Sequence, residues 1–330
     1  MRRAWCGWAA LSVLLAGMPP ESAAATNQLR IGVPWPPGSK GMADLQAAGR
    51  DIAKKTAGRV QVKFVERRDL DSAEGACDGA LLAGSPLIRR SPAAGICSLP
   101  LLCRSVEEAA RLRAWLEPQV GAGLEADGCS MIAWLDLGFA YLHSRSPVGT
   151  VESWKAARLW VPAGDPEALR TAEAYGVAPV PMEASGVRAA LRAGSVDAVI
   201  APPLGAILLQ WHVEIQSVSD VPFLALCGAV AIRNEALARL DGPDRDLLRG
   251  ELARAFSSAA ADLRQKETEA LDVLVQNGVA RHPLGNTPEQ KAEWEDWASA
   301  AADRLAAGGR VPADALAAAR QALSGFRAAP

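Results

Sequence analysis

Three histidines, His143, His212 and His282, and six cysteines are the side chains best suited to ligate a metal or attack a carbonyl, and their spacing arranges for neither. No Cys-x-x-Cys occurs, and the histidines keep no ligand-like interval from one another or from a cysteine, so no zinc site is expected. The sequence has no Gly-x-Ser-x-Gly elbow, phosphate-binding loop or His-Glu-x-x-His helix, and Gly121-Ala-Gly123 falls inside a helical pattern where no dinucleotide turn belongs. Neither an enzyme nor a cofactor is expected. Binding is the chemistry that remains. Of ten tryptophans, Trp35, Trp160 and Trp211 are candidates for flat apolar walls. A cavity so walled needs one or two polar anchors to orient its occupant, and Asp136, Tyr141, Asp165 and Gln210 are the candidates. Asp136 and Asp165 also have a plainer use as turn or helix caps, above all Asp165 before Pro166.

The elements that would position these residues alternate along the chain. Residues 29–33 read as a strand, Pro36-Pro37-Gly38-Ser39 as a turn, 42–56 as an amphipathic helix and 60–65 as a period-two strand, a β-α-β opening that favours a parallel pair. Residues 98–102 read as a further strand. Ser105 caps a helix with Glu107 and Glu108 at its positive end, running to about Asp127 and stopped by Gly128. Two strands are expected at 130–134 and 139–143, separated by Asp136 and Gly138, and Thr150 opens a short helix. The alternation resumes with a strand at 158–162, a helix at 165–175, a strand at 178–182, a helix to Ala193 and a strand at 196–200. Pro202-Pro203 then starts a helix through Leu204 to Trp211. The apolar run 223–232 suits a strand buried on both faces, Asn234 caps a helix, and 243–276 is one long helical pattern. A strand and two Ala-rich helices finish an α/β chain.

A length of 330 residues exceeds what one core usually serves, so two lobes are expected. A formal net charge of -2 offers no attraction to phosphate backbones or anionic lipid, and no nucleic-acid partner is expected. Arg2-Arg3, an apolar run over 4–17 and Ala23-Ala24-Ala25 have the layout of a signal peptide cleaved near Ala25. That run is shorter than the ~20 residues a spanning helix needs, so an exported, soluble protein is expected. Beyond Cys6 the count is odd: Cys77, Cys97, Cys103, Cys129 and Cys227. An extended 98–102 would hold Cys97 and Cys103 too far apart to bridge, and buried free thiols are expected.

One order of short segments is more specific than any single motif. Leu159-Trp160-Val161-Pro162, Gly164-Asp165-Pro166, Val180-Pro181-Met182 and Ala201-Pro-Pro-Leu-Gly-Ala-Ile-Leu-Leu-Gln-Trp211 follow Val33-Pro-Trp-Pro-Pro-Gly38, Ser98-Leu-Pro-Leu-Leu102 and Trp134-Leu-Asp-Leu-Gly-Phe139. This series resembles the periplasmic solute-binding proteins of TRAP transporters, the C4-dicarboxylate-type family. It is most similar to the subgroup associated with a helical-repeat periplasmic partner and with hydrophobic, lipid- or sterol-like ligands.

The resemblance implies a two-lobed α/β fold with ligand in the cleft, a long late helix, a periplasmic location, and delivery to a membrane permease or helical-repeat partner. The lobes would be 26–144 with 223–255, and 145–222 with 256–330, after a signal segment 1–25. Between Val65 and Leu81 the chain is too short for the full helix the family usually places there. Three positions that in the family present polar groups to a carboxylate are altered: the clamp arginine corresponds to Trp160, a second arginine to Ala140, and an asparagine to Ala201, with Pro202 beside it. Without those groups a buried carboxylate would go uncompensated, so an apolar or amphipathic ligand is expected. Three other readings stay open: a carboxylate receptor with a non-standard site, an interaction protein of the same fold that binds no ligand, and an exported hydrolase using the cleft.

Overall fold

The computed structural model describes residues 26–71 and 75–327; the predicted signal segment 1–25, with Cys6, lies outside them. β1 (Asn27–Val33) leads into α1 (Lys40–Lys55), where Ser39 accepts the Met42 amide as N-cap, and α1 returns to β2 (Val60–Glu66) parallel to β1. Met42, Leu45 and Ile52 recur at helical spacing and bury against this pair. Within 67–78 the described residues hold no helix, as the length of the segment implied, and β3 (Gly79–Ala83) joins the other edge of β1.

Next come α2 (Ser85–Arg90), a 3₁₀ turn (Pro92–Ser98), α3 (Val106–Ala126) and β4 (Cys129–Ser144). The second half runs α4 (Val151–Lys155), β5 (Arg158–Pro162), α5 (Pro166–Tyr175), β6 (Ala178–Met182), α6 (Ala184–Ala193), β7 (Ala198–Ala201), α7 (Pro203–Leu208) and β8 (Ser217–Ser219). Then follow β9 (Leu224–Arg233), α8 (Asn234–Ala238), α9 (Gly242–Gln276), β10 (Ala280–His282), α10 (Pro288–Ala307) and α11 (Ala313–Arg327).

A mixed sheet ordered β2-β1-β3-β9-β4-β7-β5-β6 unites the two lobes, with β8 paired to β4 and β10 to β8. β4 does the joining: Cys129 to Ala140 pair antiparallel with β9, and Tyr141 to Ser144 pair with β7. The 35 residues of α9, about 50 Å at 1.5 Å each, lie along β4 and touch α1 in one lobe and α7 in the other. Each lobe has its own core, one around Leu29, Ile52 and Phe256, the other around Leu191, Val199 and Trp211. A third core runs between them from α3 and the 3₁₀ turn to α5, α10 and α11.

The structure differs from the sequence reading at four places. Residues 98–102 are not a strand: the 3₁₀ turn ends at Ser98, Leu101 takes φ 55°, and one amide, that of Leu101, bonds to Phe223 because no sheet edge is open there. The two strands foreseen at 130–134 and 139–143 are one, since Asp136 and Gly138 form a bulge and not a turn. Gly138 at φ 90° absorbs the extra residue without ending the ladder. Asn234 begins α8 rather than capping it; its side chain accepts from Ser130 and donates to Glu125. The helix after Pro202-Pro203 stops at Leu208, two residues short of a left-handed Gln210.

Candidate functional site

A cavity of about 240 Å³ opens between the lobes. Gly84, Ser85 and Ile88, at the turn into α2, form one side; β5 and α5 form the other, and Arg310 with Val311, between α10 and α11, closes the end. Trp160 stands in its wall. The Trp160 indole donates Nε1–H to the Met182 carbonyl at 2.9 Å and meets Trp211 edge-on, ring centres 4.9 Å apart, so its polar atom is satisfied inside its own lobe.

Most of the ionic and polar side chains at the cavity are spent within the protein. Asp165 is the N-cap of α5, accepting the amides of Glu167 and Ala168 at 3.0 Å each, and the same carboxylate accepts Ser85 Oγ at 2.9 and 2.8 Å from the opposite lobe. Glu167 is ion-paired with Arg310. Tyr175 is buried, which pushes its phenol above the usual range, and its hydroxyl donates to the Ser98 carbonyl at 3.0 Å. What faces the cavity is therefore mostly carbon: Ile88, Val161, Leu224, Leu305 and Val311 around the Trp160 ring.

Of the residues expected from sequence, Trp160 lines this cavity, and Asp165 stands beside it, bonded to the lining residue Ser85. Trp211 does not form a wall of it: at 2 % exposure it belongs to the core of the second lobe, behind Trp160. Trp35 is likewise away from the cleft, packed on Phe256 at 6.5 Å. Ala140 and Ala201 are buried ladder residues outside the lining of this cavity, and their carbonyls accept from the Phe223 amide and from His143 Nε2. Tyr141 pairs with Ala201 across the ladder, half-buried, its phenol raised by burial, and Pro202 precedes α7. Gln210 sits on the outer surface, where its Oε1 accepts from Arg188 at 2.6 Å. Asp136 lies at the rim of a different cavity, behind α3.

Ser85, Thr171, Tyr175 and Arg310 line the site and carried no signal in the sequence. Arg310 follows two glycines 150 residues after Trp160, and only the docking of α10 against α5 brings it in. Cys77, Cys97, Cys103 and Cys129 are buried and Cys227 is half-buried, all as free thiols. Among the described residues no cluster of His, Cys, Asp or Glu is arranged to hold a metal, and no helix is long and apolar enough to cross a membrane.

The family described as bacterial extracellular solute-binding protein, family 7, matches residues 35–308. No curated protein sequence matches the chain. Among solved structures, a Bordetella pertussis extracytoplasmic solute receptor binding pyroglutamic acid superposes with a TM-score of 0.73 at 19 % identity, over 89 % of this chain and 99 % of that one. A TRAP periplasmic solute-binding protein of Ochrobactrum anthropi, its own C-terminus in the ligand pocket, gives 0.76 at 19 % identity, over 92 % and 97 %. One from Desulfovibrio salexigens with bound orotic acid gives 0.73 at 17 % identity, over 91 % and 100 %.

Proposed function

This chain belongs to the bacterial extracellular solute-binding proteins of family 7, and from that premise we propose that its interlobe cavity receives a hydrophobic or amphipathic small molecule, lipid- or sterol-like in its surface. As a TRAP-type receptor it is a periplasmic binding protein that works with a membrane permease, and it is not an enzyme. The neighbours in fold hold carboxylates, pyroglutamate and orotate among them. The observation that carries the different reading here is the wall at Trp160. An indole stands where the family resemblance places a clamp arginine, and the nearest cation, Arg310, is already neutralised by Glu167. A carboxylate entering this space would leave water without a free cation to meet it, a loss of several kcal/mol. An apolar occupant needs only area: at about 25 cal/mol per Å², a few hundred Å² reaches micromolar affinity after association costs.

The experiment is native mass spectrometry of the protein purified from its exporting host, followed by titration of the extracted ligand into wild type and Trp160→Arg. A co-purifying lipid or other apolar mass, bound more than tenfold more weakly by the variant, is the expected result. A bound carboxylate strengthened by Trp160→Arg would return the site to the chemistry of its neighbours, and persistent emptiness would support an interaction protein that binds no ligand. Transfer to a helical-repeat periplasmic partner is favoured by one feature. In the segment that carries this part of the resemblance, Leu208 and Leu209 are exposed, and Val213 follows them at 57 % exposure.

A further inference from the structure

We propose that the cavity between α3, β4 and β9 is a second ligand site, for a compact monocarboxylate with an aromatic or branched apolar body, whose carboxylate is held by Arg264. This cavity has a volume of about 150 Å³ and is separate from the interlobe one. A space of that size takes a single six-membered ring. Its interior is apolar and soft: Leu112 and Phe139 with the sulfurs of Cys97, Cys103 and Cys227. Cys97 and Cys103 are buried; the neighbouring Cys227 and burial push the Cys97 thiol up, and burial pushes Cys103 up to about 12, so both stay protonated and offer neutral, polarisable surface of the kind aromatic rings favour.

The mouth carries two positive and two negative side chains, and one of the positive ones stands outside the ion pairs. Asp136 spends both carboxylate oxygens, one on Trp134 Nε1 at 2.8 Å and one on Arg113 at 2.9 Å, and Arg113 also holds Glu117 at 2.9 Å. Arg264, reaching in from α9, donates Nη1–H to the Asp136 main-chain carbonyl at 2.9 Å and makes no ion pair among the described residues. Of the three arginines lining the two cavities, Arg310 and Arg113 are neutralised and Arg264 is not. One hydrogen bond fixes the guanidinium and leaves the rest of its fork for an acceptor. A planar carboxylate is the anion that fits such a fork with two parallel bonds.

Phenylacetate is the probe, titrated calorimetrically into the mature protein. Wild type is expected to bind it, Arg264→Gln at least tenfold more weakly, and Ala109→Leu, which fills the cavity from α3, not at all. Cys227, the half-buried thiol in the wall, reports location, and saturating phenylacetate should slow its alkylation by N-ethylmaleimide several-fold. Thermal melts of both variants establish that they are folded. The proposal is overturned by no binding at millimolar probe, by equal affinity in Arg264→Gln, or by undiminished alkylation of Cys227 in the bound protein. Tighter binding of phenylacetate by Trp160→Arg with no change in Arg264→Gln would place the probe between the lobes instead. The second site does not rest on the reading of the first, and either can fail alone.

Discussion

Burial decides what His143 and Glu267 do with a proton, and the two oppose each other. His143 is fully buried on β4 with Nδ1 lacking a partner among the described residues, and loss of solvation pulls its pKa down to about 4 against the hydrogen bond to the Ala201 carbonyl. The unfolded chain takes up that proton near pH 6.5, so the stability tied to the neutral ring is whole above 6.5 and is lost as pH falls toward 4. The full loss is about 3 kcal/mol. Glu267, buried on α9, is lifted by burial to about 7, with the Leu204 amide pulling the other way. Its folded pKa is the higher one, so its contribution is whole below 4.5 and is lost as pH rises through 7. Between pH 4.5 and 6.5 the two slopes cancel. Glu267→Gln should expose the histidine slope, with stability rising across that window, and His143→Gln the opposite slope; thermal melts at half-unit pH intervals measure both, and parallel curves for all three proteins would refute the assignment. Neither group was legible in the sequence, because depth has no local signature. Trp160 was, because its strand and its place in the order of segments could be read directly, while Trp211, the same residue type in an equally plain segment, proved to be core.

β4 shows how far an element can be inferred from its neighbours in sequence. Its two halves were read correctly as extended, and Gly138 correctly as a break in pattern; whether the break is a turn or a bulge depends on whether a partner strand continues past it. β9 does continue, pairing with β4 past Gly138 as far as Ala140, where β7 takes over. The helices were easier, since Ser105 and Thr150 announce their caps chemically, and both accept the amides expected of them. A three-residue strand such as β8 is too short to show a period at all. The bulge makes a defined prediction. A Cβ at Gly138 would meet Glu267 at 3.8 Å, ordinary contact, so Gly138→Ala is penalised by backbone conformation and not by collision. Urea unfolding should show a loss of about 1–2 kcal/mol with an unchanged m-value. A neutral outcome would mean that β4 can carry its extra residue elsewhere.

At the scale of the molecule, the question is what resists opening of the cleft. Two kinds of contact cross it. One is the third core, where Trp154 touches Phe223 at 5.3 Å and Trp297 at 5.7 Å, and Trp297 also donates its indole N–H to the Tyr175 carbonyl at 2.9 Å. The other is polar: at the interlobe cavity Ser85 bonds to Asp165 and Tyr175 to the Ser98 carbonyl, and Arg327 on α11 ion-pairs with Glu108 on α3. Contact for contact, these differ several-fold in what they contribute. Truncating a buried tryptophan costs about 3–5 kcal/mol, whereas a hydrogen bond to a half-exposed carboxylate contributes about 1 kcal/mol, and Asp165 would keep its two α5 amides without the serine. The core therefore fixes the axis on which the lobes are joined, and the Ser85 contact biases how far they stand apart. Trp297→Ala should lower the melting temperature steeply and leave the scattering profile of the surviving folded fraction unchanged. Ser85→Ala should do the reverse, with a melting temperature within a few degrees of wild type and a larger radius of gyration by small-angle scattering. A Ser85→Ala protein as closed as wild type would leave the third core, with Tyr175–Ser98 and Arg327–Glu108 beside it, responsible for holding the lobes together, and ligand entry would then require loosening of those contacts.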